Sequence, residues 1–384
     1  MKIVHVCLAC FYVEGFGYQE NILPKVHSEM GLDVTVLTSD YAFNQKHEKI
    51  KKKSSDYVNK YGVHVKVLKS TSRYGYFSRF GDYPSLAVEL ESIKPDIIFV
   101  HGGQFISLNA VVSYCKKHRS TKLYIDQHAD YYNTPVNTIR QKIKSKFIYG
   151  YGMRRAVKFC NKFWGVTPWR CQYLNDIYSI PNNKIDLLVM GGDDDYINYD
   201  QKDEISFNIR KKLELEQDDF VIITGGKIDA AKNIDILMNV VSNLSIDKIK
   251  LIVFGQPVES MVDKINQLAN NDHIRYIGWL ESYKVYDYFL ASDLGFFPGT
   301  HSVLWEQACA CGLPCVFKDW EGMHHVDVGG NCSFIKNIDK NVINESILSI
   351  YNNRKEYLKM KKIAETKGKE EFSYKQIAKK SIEL

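Results

Sequence analysis

Short apolar runs recur along the chain, each followed by a break at glycine, proline or a polar cluster and then by a stretch with helical spacing. Ile3–Leu8, Val34–Leu37, Val63–Leu68, Ile97–Val100, Leu123–Asp126 and Ile185–Val189 read as strands of a first half. Phe220–Thr224, Leu251–Phe254, Ile274–Ile277, Leu294–Phe297 and Cys315–Phe317 read as strands of a second half. These runs are apolar without strict alternation, as parallel strands covered on both faces require. Gln19–Met30, closed by Gly31, and Asn233 to about Val241 are the clearest helices. The pattern predicts an α/β chain of two Rossmann-like halves with a cleft between them. Gly191-Gly192 reads as a hinge, so residues 1–190 and 191–367 are expected as domains, with 368–384 as a closing helix that packs back on the first.

Composition narrows the class. With 45% hydrophobic and 25% charged residues among 384, the chain is ordinary globular material, and its length favours two domains. Met1-Lys2 leads straight into Ile3-Val4, and no apolar run approaches the roughly 18–20 residues of a spanning helix, so neither leader nor membrane span is expected. Nine cysteines in so long a chain make no disulfide framework; a reducing cytoplasm fits best. Cys7-x-x-Cys10 has a redox or half-zinc spacing without a second pair to complete it, and no metal is expected.

Charge divides unevenly. Residues 1–190 hold 27 Lys and Arg against 15 Asp and Glu, and residues 191–384 hold 24 against 30. Tyr131–Asn175 has no acidic residue and carries Arg140, Lys142, Lys144, Lys146, Arg154 and Arg155, while Ile139, Ile143, Phe147 and Tyr151 recur every four residues. A basic helix with an apolar stripe suits an anionic membrane surface or a phosphorylated acceptor; a nucleic-acid face or a plain solvated face has the same pattern. Lys49–Lys53 is a second basic cluster.

The stretch Phe296–Phe317 (FFPGTHSVLWEQACACGLPCVF) reads as strand, small-residue loop, helix and strand. A helix start at the carboxyl end of a strand offers backbone N–H groups to an anion. Glu306, about one turn inside, could reach hydroxyl groups beyond it; a solvated glutamate in a plain βαβ unit is the alternative. In the first half, Gly15-Phe16-Gly17 follows the first strand without the third glycine of a dinucleotide fingerprint, and His101-Gly102-Gly103 and Gln127-His128 close two further strands.

The second half resembles the retaining GT-B glycosyltransferases of family 4, whose members build lipopolysaccharide, capsule and phosphatidylinositol glycans. The resemblance lies in Gly226-Lys227 through Lys232-Asn233, in Ile277-Gly278-Trp279-Leu280, in Ser292-Asp293-Leu294 through Pro298, in Glu306-Gln307-Ala308-Cys309-Ala310-Cys311-Gly312-Leu313-Pro314 and in Phe372-Ser373-Tyr374. It implies a GT-B fold and a hexosyltransferase-type enzyme that takes a nucleotide-sugar donor (a UDP- or GDP-sugar) as substrate. It further implies a lipid-linked or saccharide acceptor, no cofactor and no nucleic acid, at the inner face of the membrane. Lys227 and Lys232 would then meet the leaving diphosphate, since a transferase without a metal needs fixed cations there. Glu306 would accept from the ribose hydroxyls, and the N–H groups of Ser302 and Val303 would hold phosphate or sugar. Gly15 and Gly17 would let backbone approach the diphosphate, and His128 would stand beside the donor sugar. Eight residues before Glu306 the family's E-x7-E motif has its first glutamate, whereas this chain has Pro298; His301 or Thr300 is the candidate replacement. A nucleotide-sugar epimerase of the same architecture, or a membrane-docked binding subunit without turnover, remain as alternatives. Asp193-Asp194-Asp195 satisfies a metal-binding D-x-D but reads as a solvated linker.

Overall fold

Residues 1–43, 49–71 and 81–384 are described in the computed structural model of the protein. The chain divides into two units, Met1–Val189 with Ala378–Leu384, and Met190–Ile377, and each has its own parallel sheet.

The first unit contains β1 (Lys2–Cys7), β2 (Asp33–Ser39), β3 (Tyr41–Phe43), β4 (Lys49–Lys51), β5 (Asp56–Val58), β6 (His64–Leu68), β7 (Ile97–His101), β8 (Lys122–Gln127), β9 (Cys160–Gly165) and β10 (Ile185–Leu187). Eight of these form one sheet in the order β10-β9-β8-β7-β1-β2-β6-β5, parallel except for the antiparallel edge strand β5. β3 and β4 pair with each other alone. β1 sits between β2 and β7, with Ile3 opposite both Val34 and Ile97. Every residue of β7 is buried, which is why its sequence shows no alternation. The helix Gln19–Glu29 ends before Gly31, whose φ of +83° closes it in the left-handed region. Pro168 starts the helix Pro168–Tyr178, and Thr167 caps it by accepting from the Arg170 N–H at 3.3 Å.

The second unit contains β11 (Phe220–Gly225), β12 (Ile249–Phe254), β13 (Ile274–Gly278), β14 (Leu294–Phe297), β15 (Cys315–Lys318) and β16 (Cys332–Ile335), all parallel in the order β13-β12-β11-β14-β15-β16. Strand order reverses between β11 and β14. In an open α/β sheet the ligand crevice lies outside the carboxyl ends of the strands at such a point, so the segments after Gly225 and after Phe297 flank it. The core of this unit packs Leu237, Met238 and Val241 of the helix Ile234–Val241 on Ile222, Leu251 and Val253.

Strands β3, β4, β5, β9 and β16 were not expected from the sequence. β9 (CNKFWG) has an exposed Asn161 and a half-buried Lys162 within the basic stretch, and its register shifts against β8, so it shows neither an apolar run nor a strict alternation. The aspartate triplet is solvated only in part: Asp195 is exposed and Asp194 half-buried, whereas Asp193 is not solvated. Asp193 is buried, its N–H donates to the Tyr286 hydroxyl at 3.1 Å, and its carboxylate accepts from the Asp195 N–H.

Candidate active site

The loop after β14 is built around one glycine and one lysine. A Cβ on Gly299 would stand 2.3 Å from Lys232 Cα and 2.5 Å from its carbonyl oxygen, so only glycine allows the two loops to meet backbone to backbone. The Thr300 N–H donates to the Ala231 carbonyl at 3.1 Å, and Asn233 Nδ2 donates to the Pro298 carbonyl at 3.0 Å. Lys232 Nζ donates to the carbonyls of Thr300 and, at 3.3 Å, His301. An ammonium has three donors, so one remains for an anion. Burial lowers the Lys232 pKa to about 8, against the raising effect of Asp229. A cavity of about 10 Å³, room for one water, lies among Thr224, Lys232, Gly299, Thr300, Ser302 and Trp305.

Glu306 lies in the first turn of the helix Leu304–Ala310 and is fully buried, not solvated. His301 and His325 both donate through Nε2 to its Oε1, each at 2.8 Å. Burial by itself raises the Glu306 pKa, but the two histidines outweigh it and hold the carboxyl well below the usual range. Oε2 is buried and has no hydrogen-bond partner, and the same holds for Thr224 Oγ1 at the end of β11. Buried polar groups are rarely left unpaired, and a carboxylate oxygen and a hydroxyl in this state suit a ligand rich in hydroxyl groups. The His301 ring stands edge-on to Trp305, which stacks on Phe317 at 4.4 Å, so the loop rests on an aromatic base.

Of the residues singled out in the sequence, Lys232, His301, Ser302 and Glu306 come together here, and Val303 directly precedes the helix. Lys227 stands apart: its side chain is 70% exposed and its Nζ lies 3.8 Å from Asp229.

In the first unit, Gly15 has φ +86° in an exposed turn, and Gly17 follows just before the helix Gln19–Glu29. His128 follows β8, its Nε2 3.2 Å from Asp126 Oδ2 but off the angle for a hydrogen bond. Burial lowers the His128 pKa, while Asp126 and Glu20 outweigh that and leave it raised. Arg170 pairs with Asp130 at 3.0 Å. The triads His101, Asp126, His128 and His301, Glu306, His325 each offer three atoms at metal-ligand spacing; in both, the two imidazoles converge on one carboxylate oxygen at 2.8 to 3.2 Å. Burial, Glu20 and Asp126 raise the Cys7 and Cys10 pKa well above the ordinary value, so both thiols stay protonated.

The basic stretch forms a helix from Ile139 to Ala156 with a π-helical middle, Ile143–Tyr149, and Thr138 and Gln141 close a capping box at its start. Ile139, Ile143, Phe147 and Tyr151 are 77%, 48%, 65% and 56% exposed. Arg140, Lys142, Lys144, Lys146 and Arg154 are exposed beside them, and Arg155 is half-buried against Asn109. Among the described residues, no helix is long and apolar enough to cross a membrane.

Residues 206–367 match the family model described as glycosyl transferases group 1. The chain carries a group 1 glycosyltransferase domain. It is accordingly a transferase, and the group 1 domain contains Lys227, Lys232, His301, Glu306 and His325. No protein with a curated description matches the chain. Among solved structures, Anabaena Alr3699/HepE in complex with UDP is 14% identical with a TM-score of 0.68, covering 100% of this chain and 99% of that one. A glycosyltransferase from Rickettsia africae is 14% identical with a TM-score of 0.69, over 100% and 97%. WaaG, a glycosyltransferase involved in lipopolysaccharide biosynthesis, is 14% identical with a TM-score of 0.66, over 99% and 98%. At this identity the likeness is one of fold, and the fold is GT-B.

His325 escaped the sequence reading. It follows β15, the strand beside β14, and a search of the loops after neighbouring parallel strands for groups able to meet Glu306 would have found it.

Proposed function

We propose that the protein moves a sugar from a UDP- or GDP-sugar to a lipid-linked glycan at an anionic membrane surface, in the synthesis of a cell-surface polysaccharide. The donor binds the second unit. Glu306 Oε2 accepts from the ribose hydroxyls, the N–H groups of Ser302 and Val303 hold phosphate, Lys232 balances charge on the departing diphosphate, and the exposed Lys227 swings in from Asp229 to join it. His128 hydrogen-bonds the donor sugar, Gly15 and Gly17 allow backbone to approach the diphosphate, and transfer proceeds with retention and without a metal. The observation that carries this reading is the buried Glu306 with one oxygen fixed by two histidines and the other unpartnered. The UDP held by the Anabaena protein supports trying UDP-sugars first, and WaaG supports a lipopolysaccharide-type acceptor. The exposed Ile143 and Phe147 among lysines support peripheral docking on the inner face of the membrane.

The test is incubation of the purified chain with radiolabelled UDP- and GDP-sugars and membranes bearing lipid-linked glycans. Label entering the organic-extractable lipid with one donor is expected. Saturable donor binding with no label in any acceptor would instead mark a binding subunit without turnover.

A further inference from the structure

Three histidines of the first unit are joined end to end by hydrogen bonds. His27 Nδ1 lies 3.0 Å from His5 Nε2, and His5 Nδ1 lies 2.9 Å from His101 Nε2. At one end His27 Nε2 lies 3.0 Å from the carbonyl oxygen of Ala378; at the other, His101 Nδ1 lies 3.0 Å from Asp126 Oδ2. All four side chains are fully buried, and the His5 ring stacks against both neighbours with centroids 5.1 and 5.2 Å apart.

The protons of this chain can be counted. A neutral imidazole has one N–H, and carbonyl and carboxylate oxygens only accept. Four hydrogen bonds between two acceptor-only ends need four protons, and three neutral rings supply three. Among the described residues, Ser381 is the other hydroxyl donor that reaches the rings, with Oγ 3.2 Å from His27 Nε2 and 2.8 Å from the Ala378 oxygen. Were its proton turned to His27, all three rings could be neutral, but the lone pairs of His27 Nε2 and the Ala378 oxygen would then face each other at 3.0 Å in a buried site. With the Ser381 proton on the Ala378 oxygen, its hydroxyl accepts from His27, and the fourth proton must sit on a ring.

Burial lowers the His5 and His27 pKa values, His27 to about 4, so those rings stay neutral. Burial would raise Asp126, yet His128 and His101 outweigh it and hold the carboxyl ionised. The proton therefore belongs on the ring beside the carboxylate.

We propose that His101 is a standing imidazolium at the end of the His27–His5–His101 chain, and that it is a positioning residue which fixes and balances Asp126 beneath His128. One carboxylate then holds three groups: Oδ1 accepts from the Gly102 N–H at 2.8 Å, and Oδ2 faces His101 Nδ1 and His128 Nε2. The other titratable groups facing this cluster are Glu20 on the helix Gln19–Glu29, Cys7 on β1, Cys10 after it, and Arg170. With His101 charged, Asp126 is paired without help from His128, which remains free for its ligand. Only the consequence for turnover rests on the reading of His128 as a donor-site residue.

The test is ring ¹⁵N NMR of the full chain labelled at histidine, without substrate, from pH 6 to 8.5. A ring signal protonated at both nitrogens that vanishes in His101→Asn and survives in Ser381→Ala is expected to persist at pH 8. Only neutral rings at pH 7, or loss of the imidazolium in Ser381→Ala, would overturn the proposal. If His101→Asn fails to fold, the wild-type and Ser381→Ala spectra still decide. The positioning role is read in His5→Leu, where His101 loses the acceptor for its second proton. Asp126 then falls to His128, whose titration should move up by about one pH unit; an unchanged His128 titration would refute that role. Failure of sugar transfer alone would leave all of these spectra as stated.

Discussion

His325 donates to Glu306 at the same carboxylate oxygen that His301 reaches, at the same 2.8 Å. With Oε1 doubly held, the carboxylate cannot rotate, and Oε2 is presented in one direction. Replacing His325 by leucine removes one of two donors to a fully buried charge. A loss of about 2 kcal/mol in unfolding free energy is expected, with at least a tenfold weaker Kd for the nucleotide sugar. His301→Ala should behave alike. Chemical denaturation and calorimetry check both, and unchanged donor affinity in both variants would remove the histidine pair from the site.

Gly299→Ala tests the joint between the two loops. The added methyl group meets Lys232 Cα and both neighbouring carbonyl oxygens at 2.3 to 2.6 Å, all of it backbone that cannot swing aside. Overpacking of this kind costs about 1–3 kcal/mol. A lowered Tm together with weaker donor binding is the expected result.

Much of this architecture is legible in the chain, and the parts that are not share a physical cause. Strands β1, β7, β11 and β14 are covered on both faces and therefore appear as apolar runs. The edge strand β5, with Asp56 and Val58 exposed, and the four-residue β16 have too little buried surface to leave a pattern. Lys232 and Glu306 are legible because short local spacing carries them. The burial of Glu306 is not, since it depends on a histidine 19 residues away on the next strand's loop. The His27–His5–His101 chain is hidden for the same reason: each ring comes from a different element, and only the sheet order β7-β1 with the helix Gln19–Glu29 aligns them.

Lys232 should give two pH dependences of opposite sign. Its folded pKa of about 8 lies below the ordinary lysine value of roughly 10.4. Between these values the unfolded chain binds more protons, so the lysine's contribution to stability rises with pH. Donor affinity needs the ammonium and should fall as pH passes about 8. Calorimetric titration at pH 7 and 9 checks the second effect, and Lys232→Met should abolish it while weakening binding at pH 7.

The exposed stripe on the helix from Ile139 to Ala156 should bind anionic vesicles. Both Ile143 and Phe147 lie outside the core, so Ile143→Ser with Phe147→Ser should leave the Tm within about 1 °C. Vesicle sedimentation should drop at least tenfold. Replacing Lys144 and Lys146 by glutamine should weaken binding most at low salt, since exposed charges are screened beyond roughly 10 Å at 0.1 M.

The most direct measurement is the affinity of the chain for UDP, GDP and their sugars by calorimetry, in the wild type and in Glu306→Ala. One nucleotide should bind the wild type in the micromolar range, and the variant should lose at least tenfold, because the ribose hydroxyls lose their fixed acceptor. Equal affinity in both proteins, or no binding of any nucleotide by the wild type, would contradict the account.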